Sequence, residues 1–335
     1  MKTLAFTHVN DSGSAVGDFA PVTSVFSHYE LGNTVSPFLL LDHLGPGMLK
    51  PTKLKKGVLE HPHRGFETVT IVFKGELEHH DTSGGGGIIG EGDVQWMTAA
   101  SGIQHEEVFS PAFSQQGGPF EILQLWVNLP AKDKMNPARY QSLSKANIPV
   151  VDLAHDAGYM RVIAGEYEQV RGIADTHTPM QVLDVHLRAG QTLILPAQSG
   201  DSTLLYLRSG QLQFNDADEP LNAQHMAVMS SQGENVEITA LEDSYLLYLS
   251  AQPLNEPLYG RGYFVMNTFA EVMQAYDDLK TGQFLKLITL NDVGKYAPLH
   301  DFSYLKCVIQ AKIEPKLNLF DLYLNPRFLR PTTNI

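Results

Sequence analysis

The sequence predicts an all-β fold of two tandem β-barrels with a few short helices and an appended C-terminal segment. Short runs rich in Val, Ile, Thr, Tyr and Phe recur along the chain, and turn residues, among 28 Gly and 19 Pro, separate them. One strand–turn pattern occurs twice. The 335 residues are also enough for two domains, each with its own core.

Five strands are predicted in the first half of the chain, at residues 38–41, 67–73, 75–79, 93–97 and 121–127. Turn residues separate them at intervals that are typical of a barrel or sandwich. A polar stretch from Ala131 to Pro149 then interrupts the pattern. Within it, Asn136 and Pro137 are typical of an N-cap and a first helical residue, which predicts a short linking helix.

In the second half, strands resume at about Tyr159 and run to Leu249. The run 71–77 resembles the run 206–212, which indicates two copies of one barrel. A capping-box pattern at Thr268–Glu271 predicts a helix with an apolar stripe that stops at Gly282.

These patterns divide the chain into four parts. An N-terminal barrel with the functional site is predicted over residues 1–135, followed by a linker over 136–150. A C-terminal barrel over 151–282 ends in the amphipathic helix. The tail, residues 283–335, changes character, with more Lys and Arg than Asp and Glu, and its structure is not predicted.

Bulk composition excludes several classes of function. The formal net charge of −13 argues against direct binding of nucleic acid or of an anionic membrane. The single cysteine, Cys307, excludes intrachain disulfides and zinc sites of the paired-cysteine type, and we interpret it as an incidental thiol. Neither a signal sequence nor a membrane-spanning run is present, so we expect a soluble, cytoplasmic protein.

Two motifs contain the candidate metal-binding residues. The first is Gly57-x3-His61-Pro62-His63-x3-Glu67, and the second is Gly102-x2-His105-Glu106-Glu107. Alternate residues of a strand share a side, so His61, His63 and Glu67 point one way if the first segment is extended, and His105 and Glu107 form a matching pair. Three imidazoles and one carboxylate predict a single metal ion with open coordination positions. The spacing leaves open whether Glu67 or Glu107 is the carboxylate ligand.

These motifs resemble the cupin superfamily, and more closely its pirin family. The segments that carry the resemblance are His61–Thr68, Gly92–Ala99, Gly102–Glu107 and Trp126–Pro130, within a similarity that covers about residues 20–283. The resemblance implies two cupin (jelly-roll) barrels and one non-haem iron in the N-terminal barrel. The same set of nitrogen and oxygen ligands accepts Mn, Co, Ni, Cu or Zn as well as Fe(II).

The family pattern assigns the metal to His61, His63, His105 and Glu107, with Glu107 also as the catalytic base. General cupins take their carboxylate from the position of Glu67, which is here expected to orient a histidine by hydrogen bonding.

The second barrel is expected to lack these ligands. Matching Gly75 to Gly210 places Pro196 and Gln198 at the positions of His61 and His63. Matching Gly102 to Gly233 places Val236 at the position of His105. The sequence therefore predicts one metal ion per chain and a C-terminal barrel with a structural role.

The resemblance implies quercetin 2,3-dioxygenase-type activity, in which a flavonol-like aromatic substrate reacts with O2. Phe66 or Trp96 is expected to line an apolar pocket for it. The alternative is a non-catalytic, iron-binding and redox-sensitive regulatory protein that acts on a protein partner, as described for animal pirins. Both functions use the same four ligands.

Two further patterns receive plain structural interpretations. Adjacent residues on a strand face opposite sides, so we interpret His79-His80-Asp81 as a solvated strand end. The run Gly85–Gly90 fits a dinucleotide-binding pattern formally, but a strand follows it, which favours a hairpin loop.

Overall fold

The computed structural model describes residues 1–10 and 13–285, and it confirms the all-β fold of two tandem barrels. The tail from residue 286 onward, with Cys307, lies outside the described residues. The strands are β1 Leu4–His8, β2 Gly13–Val16, β3 Phe19–Ser27, β4 Phe38–Leu49, β5 Gly57–His63, β6 Phe66–Lys74, β7 Leu77–Asp81, β8 Gly86–Ile89, β9 Val94–Thr98, β10 Ile103–Phe109, β11 Gly118–Asn128, β12 Arg139–Leu143, β13 Val150–Leu153, β14 Gly158–Ala164, β15 Glu166–Tyr167, β16 Val170–Arg171, β17 Met180–Leu187, β18 Thr192–Leu195, β19 Ser202–Ser209, β20 Gln211–Phe214, β21 Leu221–Asn222, β22 Met226–Met229, β23 Val236–Ala240, β24 Ser244–Ala251, β25 Tyr259–Arg261 and β26 Phe264–Met266. The helices are α1 His28–Leu31, α2 Pro111–Gln116 and α3 Phe269–Thr281.

Each barrel consists of one large and one small sheet. In the first barrel the orders are β12-β9-β6-β11-β4-β3-β2 and β5-β10-β7-β8, and in the second they are β1-β22-β19-β24-β17-β14-β13 and β18-β23-β20-β21. The two sets of strands correspond one to one. Gly75 and Gly210 follow the equivalent strands β6 and β19 with φ of 89° and 92°, a left-handed conformation that favours glycine. The internal repeat is therefore confirmed.

The two large sheets pack against each other, back to back. Their facing side chains form one buried hydrophobic cluster that includes Val69, Trp96 and Leu125 of the first barrel with Val182 and Leu247 of the second. Burial of these apolar surfaces joins the barrels and leaves the opposite face of each large sheet to line a barrel interior.

The predicted linking helix at Asn136-Pro137 is wrong. A single 3-10 turn, Ala131–Asp133, comes earlier, and the chain then forms β12, which extends the large sheet by pairing with β9. Without β12, the backbone donors and acceptors along one edge of β9 would be unpaired, and pairing with them outweighs the local helix signal. The strand pairing also differs from the predicted division at the N-terminus, because β1 pairs with β22 of the second barrel. The other boundaries stay predictions.

The helix predicted after Thr268 is confirmed as α3. Thr268 and Glu271 form the reciprocal capping box, and Gly282 ends the helix with a left-handed φ of 69°. The helix packs on the hairpin β25–β26, where Val272 lies in a cluster with Phe264. This hairpin returns to the first barrel, since Arg64 forms a β-bridge with Phe264. The buried Arg64 side chain also forms an ion pair with the partly exposed Asp278, at 2.7 Å.

Lys134 is buried at the junction between this hairpin and the first barrel. Its ammonium group donates to the carbonyls of Gly65 and Val265, at 2.6 and 2.9 Å, and to Asn128 Oδ1 at 2.5 Å. Three acceptors match the three protons of a lysine ammonium, so the hydrogen-bonding capacity of the group is satisfied.

We expect Lys134→Met to lower the free energy of unfolding by about 3 kcal/mol, because it leaves three buried acceptors without a donor. Chemical denaturation measures this change. Lys132→Met, at an exposed lysine two residues away, is the matched control and should change stability by less than about 0.5 kcal/mol. Equal effects of the two substitutions would contradict this role for Lys134.

Candidate metal centre

Three histidines meet inside the first barrel, as the sequence predicts. Strands β5 and β10 pair antiparallel, with His61 opposite His105 and His63 opposite Ile103. One ring nitrogen of each of the three histidines lies within 4.8 Å of the others. The centroid of the His61 ring lies 4.3 Å from that of His105 and 4.7 Å from that of His63.

The Nδ1 atom of each of the three histidines lies near a polar atom outside the cluster. The His61 Nδ1 lies 2.8 Å from the Leu59 carbonyl, and the His63 Nδ1 lies 3.3 Å from the Tyr263 carbonyl. A carbonyl only accepts, so Nδ1 of both rings carries the proton and Nε2 keeps its lone pair. The His105 Nε2 is buried without a hydrogen-bond partner among the described residues. These are the features of three imidazoles arranged to bind an ion through Nε2.

Burial keeps the three rings neutral. It lowers the pKa of His61 to about 4, and it lowers the pKa values of His63 and His105 well below the ordinary value, with further contributions from the neighbouring imidazoles. A metal ligand must be the neutral form, so the site is already in the protonation state that binding requires.

Glu107 lies beside this group but outside it. Its carboxylate is not among the atoms within 4.8 Å of one another. The Oε1 accepts from the Gln95 amide and lies 2.8 Å from the Thr70 hydroxyl, while Oε2 accepts a longer bond of 3.3 Å from the Gln124 amide. Burial raises the pKa of Glu107, and the hydrogen bonds from Thr70 and Gln95 oppose this shift.

The residues that hold Glu107 belong to a polar row that crosses the large sheet. Gln95 pairs with Thr70, Thr70 with Gln124, and Gln124 with Asp42, on four neighbouring strands. The Thr70 hydroxyl is also 2.7 Å from Gln124 Oε1 and can donate to only one of its two acceptors at a time. Sequence reasoning did not find this row, although polar residues at alternate positions of apolar strands are a signal for it.

Glu67 faces the opposite side of the large sheet. Gly65, with φ of 92°, interrupts the chain between β5 and β6, so the side alternation that starts at His61 does not continue to Glu67. Glu67 alternates with Val69, which packs between the barrels, and its Oε1 accepts a 2.6 Å bond from the Thr98 hydroxyl. The expectation that Glu67 points inward with His61 and His63 and orients a histidine is therefore wrong.

Two aromatic residues form the wall beside His63. The ring centroids of Phe66 and Trp126 lie 5.0 and 5.2 Å from that of His63, and 4.3 Å from each other. Phe66 therefore lies beside His63, and its expected place in the lining of a substrate pocket stays a prediction. Trp96 instead packs in the cluster between the barrels, because it shares the sheet face of Val69 and not that of Thr70.

The interpretation of His79-His80-Asp81 as a solvated strand end is wrong for two of the three residues. His79 and Asp81 face inward with side chains 0% exposed, and only His80 faces solvent. On β10, Glu107 pairs with His79, and His105 pairs with Asp81. The alternation of residues 79 and 81 was a usable signal, but the sequence did not indicate that β7 lies next to β10.

The second barrel has no comparable group among residues 1–10 and 13–285. Leu195 pairs with Val236 as His61 pairs with His105, so Leu195 takes the place that the glycine matching gave to Pro196. The interior is filled by a hydrophobic cluster that includes Leu195, Val236, Leu205 and Tyr248. The predicted absence of ligands at these positions agrees with this packing, although one residue shifts.

Comparisons with known proteins agree with this architecture. The Pirin family model matches residues 20–127, and the model for the pirin C-terminal cupin domain matches residues 182–285. A Pseudomonas aeruginosa protein with the provisional name quercetin 2,3-dioxygenase is 48% identical over 286 residues, which cover 85% of this chain and 99% of that protein. The chain belongs to the pirin family.

A second relative and a solved structure are also similar to this chain. A pirin-like protein of Solanum lycopersicum is 37% identical and covers 80% of this chain and 88% of its own. The crystal structure of a quercetin 2,3-dioxygenase from Acinetobacter baumannii is 46% identical, with a TM-score of 0.82, and covers 85% of this chain and 99% of its own. Among the described residues of this pirin, no helix is long and apolar enough to cross a membrane.

We expect Glu67 to make the stability of this pirin depend on pH. Burial raises the pKa of Glu67 to about 7, against the hydrogen bond that its carboxylate accepts from the Thr98 hydroxyl. Between pH 4.5 and 7 the folded protein therefore binds more protons at this site than the unfolded chain, whose carboxyl ionises at its ordinary value. The contribution of Glu67 to the free energy of unfolding is fully present below pH 4.5 and is lost as pH rises through 7.

The test is Glu67→Gln in the metal-free protein. The variant should lack the pH-dependent loss of stability that Glu67 causes, which is on the order of 2–3 kcal/mol between pH 4.5 and pH 7. Urea denaturation at pH 5 and pH 8 measures it, and Glu219→Gln, at an exposed carboxylate, is the control. The same pH slope in Glu67→Gln and wild type would contradict the assignment.

Proposed function

We propose that this pirin is a mononuclear metal dioxygenase that cleaves a flavonol such as quercetin with O2. His61, His63, His105 and Glu107 hold the metal in this proposal. The observation that carries it is the convergence of three neutral imidazoles, with Nδ1 of His61 and His63 committed to carbonyls and the His105 Nε2 buried without a partner. The names of the Pseudomonas aeruginosa and Acinetobacter baumannii relatives support the substrate class.

The donor set fits such an ion. Three imidazole nitrogens and one carboxylate oxygen suit Fe(II), and they also accept Mn, Co, Ni, Cu or Zn. Glu107 is the fourth ligand in this proposal, and Oε2 is its less strongly held oxygen, with one bond of 3.3 Å. We expect one ion per chain.

A metal held by these residues would supply Lewis acidity that lowers the pKa of a flavonol hydroxyl. Glu107 is the base that takes the proton of that hydroxyl, and its buried position, which raises its pKa, suits it to hold a proton. Gln95 and Thr70 hold Oε1 in place and leave Oε2 to act.

The surroundings suit a flat, hydroxylated aromatic ligand. Phe66 and Trp126 provide ring surfaces beside His63 that exclude water. On the same sheet face as Gln124, the Asp42 Oδ1 is buried without a hydrogen-bond partner among the described residues, and burial raises the pKa of Asp42 to about 6. An unsatisfied acceptor in this position favours a ligand that donates a hydroxyl proton to it.

The test combines metal analysis with quercetin turnover, measured first without O2 and then with it. We expect one iron per chain and flavonol loss only with O2, and both should be abolished in His105→Ala because the third nitrogen ligand is missing. One bound metal per chain without turnover of any flavonol would contradict the dioxygenase proposal and favour the non-catalytic regulatory function. Absence of bound metal after reconstitution with Fe(II) would contradict both functions, because both require the metal.

A second prediction separates the two glutamates. Glu107→Gln removes the base and a metal ligand, so turnover should fall by about 10²–10⁴-fold. Glu67→Gln is the matched control, the same substitution on the opposite sheet face, and should keep turnover within about threefold of the wild type. If Glu67→Gln abolished turnover and Glu107→Gln did not, our choice of carboxylate would be wrong.

A further inference from the structure

Two buried residues on β7 lie directly behind the metal centre. The His79 Nε2 is 3.0 Å from Asp81 Oδ2, and both side chains are 0% exposed. The other nitrogen of the same ring, Nδ1, is 3.5 Å from the His105 Nδ1. The three side chains therefore form a line from a buried carboxylate to one of the proposed metal ligands.

Asp81 has its own fixed partners. Its Oδ1 accepts from the Ser83 backbone at 2.8 Å, from the Ser83 hydroxyl at 2.6 Å and from the Gly85 backbone at 3.1 Å. Burial would raise the pKa of Asp81, but hydrogen bonds from His79 and Ser83 outweigh it and hold the pKa below the ordinary value. Only Oδ2 remains for His79, and an ionised carboxylate can only accept.

The proton positions follow from this geometry. The His79 Nε2 must carry a proton to donate to Asp81. In the neutral ring, Nδ1 therefore has no proton and keeps its lone pair. That lone pair faces the His105 Nδ1, which is then the protonated nitrogen of His105, and the His105 Nε2 is left to bind a metal. Tyr140 stacks on His79 with ring centroids 4.8 Å apart and restricts rotation of the His79 ring.

We propose that Asp81 and His79 are positioning residues that fix His105 as its Nε2-binding tautomer. This inference rests on the proposed metal site. The carbonyls of Leu59 and Tyr263 do the same for His61 and His63, but a side-chain pair serves His105. His79 is not a further ligand in this scheme, because its Nδ1 faces His105 and the ring is outside the group of nitrogens that lie within 4.8 Å.

Asp81→Asn tests the scheme with little change of shape. The three donors at Oδ1 require the carbonyl oxygen of the new amide to stay there, which places its NH2 group opposite the His79 Nε2. His79 must then accept at Nε2 and carry its proton on Nδ1, so two N–H groups would face each other between His79 and His105.

We expect Asp81→Asn to bind Co(II) about 10–100-fold more weakly than the wild type, the usual effect of losing a partner of a metal ligand. The visible absorption bands of the bound Co(II) should also shift, because the His105 ring is no longer held in the same tautomer and orientation. A purely structural role for Asp81 would not move these bands once the site is saturated. Metal-free thermal unfolding confirms that the variant folds.

Three further variants complete the experiment. Ser83→Ala removes one donor to Asp81 without touching His79 and should leave Co(II) affinity and spectrum unchanged. His79→Leu should reproduce the loss, and the His79→Leu/Asp81→Asn double variant should lose no more than either single variant, because the two residues act as one unit.

The outcomes separate this inference from the proposed function. If the wild type binds Co(II) and Asp81→Asn binds it equally well with the same spectrum, the positioning role is wrong while the metal site stands. If Ser83→Ala weakens binding as much as Asp81→Asn, the effect belongs to the turn and the inference is also wrong. If the wild type binds no Co(II), the proposed metal site itself fails.

Discussion

Three neutral imidazoles buried in one barrel need a partner for every ring N–H, and much of the surrounding structure meets this need. Leu59 provides a carbonyl from β5 itself, and Tyr263 provides one from the turn of the hairpin β25–β26. His79 provides a nitrogen from β7. A buried N–H without an acceptor costs about 1–3 kcal/mol, so these three neighbours set the direction in which each Nε2 points. The arrangement of the histidine cluster thus depends as much on its supporting residues as on the three histidines themselves.

The need for a partner at the His63 Nδ1 links the first barrel to the segment that follows the second barrel. Tyr263 comes from the segment that follows the second barrel, and Lys134, Arg64 and Asp278 hold this segment against the first barrel. A change in the packing of α3 would therefore reach His63 through the hairpin. This coupling gives the C-terminal half of the chain a part in the site even though its own barrel contains no such histidine cluster among the described residues.

The two barrels share one strand arrangement but bury different kinds of side chain in their interiors. Corresponding strands fill the second interior with Leu195, Val236 and their apolar neighbours, which need no hydrogen bonds. In the first interior, the corresponding positions hold imidazoles, and a row of Thr70, Gln95 and Gln124 satisfies Glu107. Buried polar groups are stable only when they are connected in this way, so the supporting residues must accompany the ligands.

The sequence by itself determined the fold class, the internal repeat, the capped helix α3 and the identity of the three clustered histidines. These follow from local patterns: strand periodicity, a capping box, and two His motifs at family spacing. Strand spacing left open which carboxylate lies beside the histidines, and the family resemblance favoured Glu107. The tertiary structure gives the physical reason, because the break at Gly65 reverses the side on which Glu67 emerges. It also decided that residues 139–143 form a strand and that His79 and Asp81 are buried, since both depend on which strand edges meet. Contacts between residues that are distant in the chain leave little mark on local sequence.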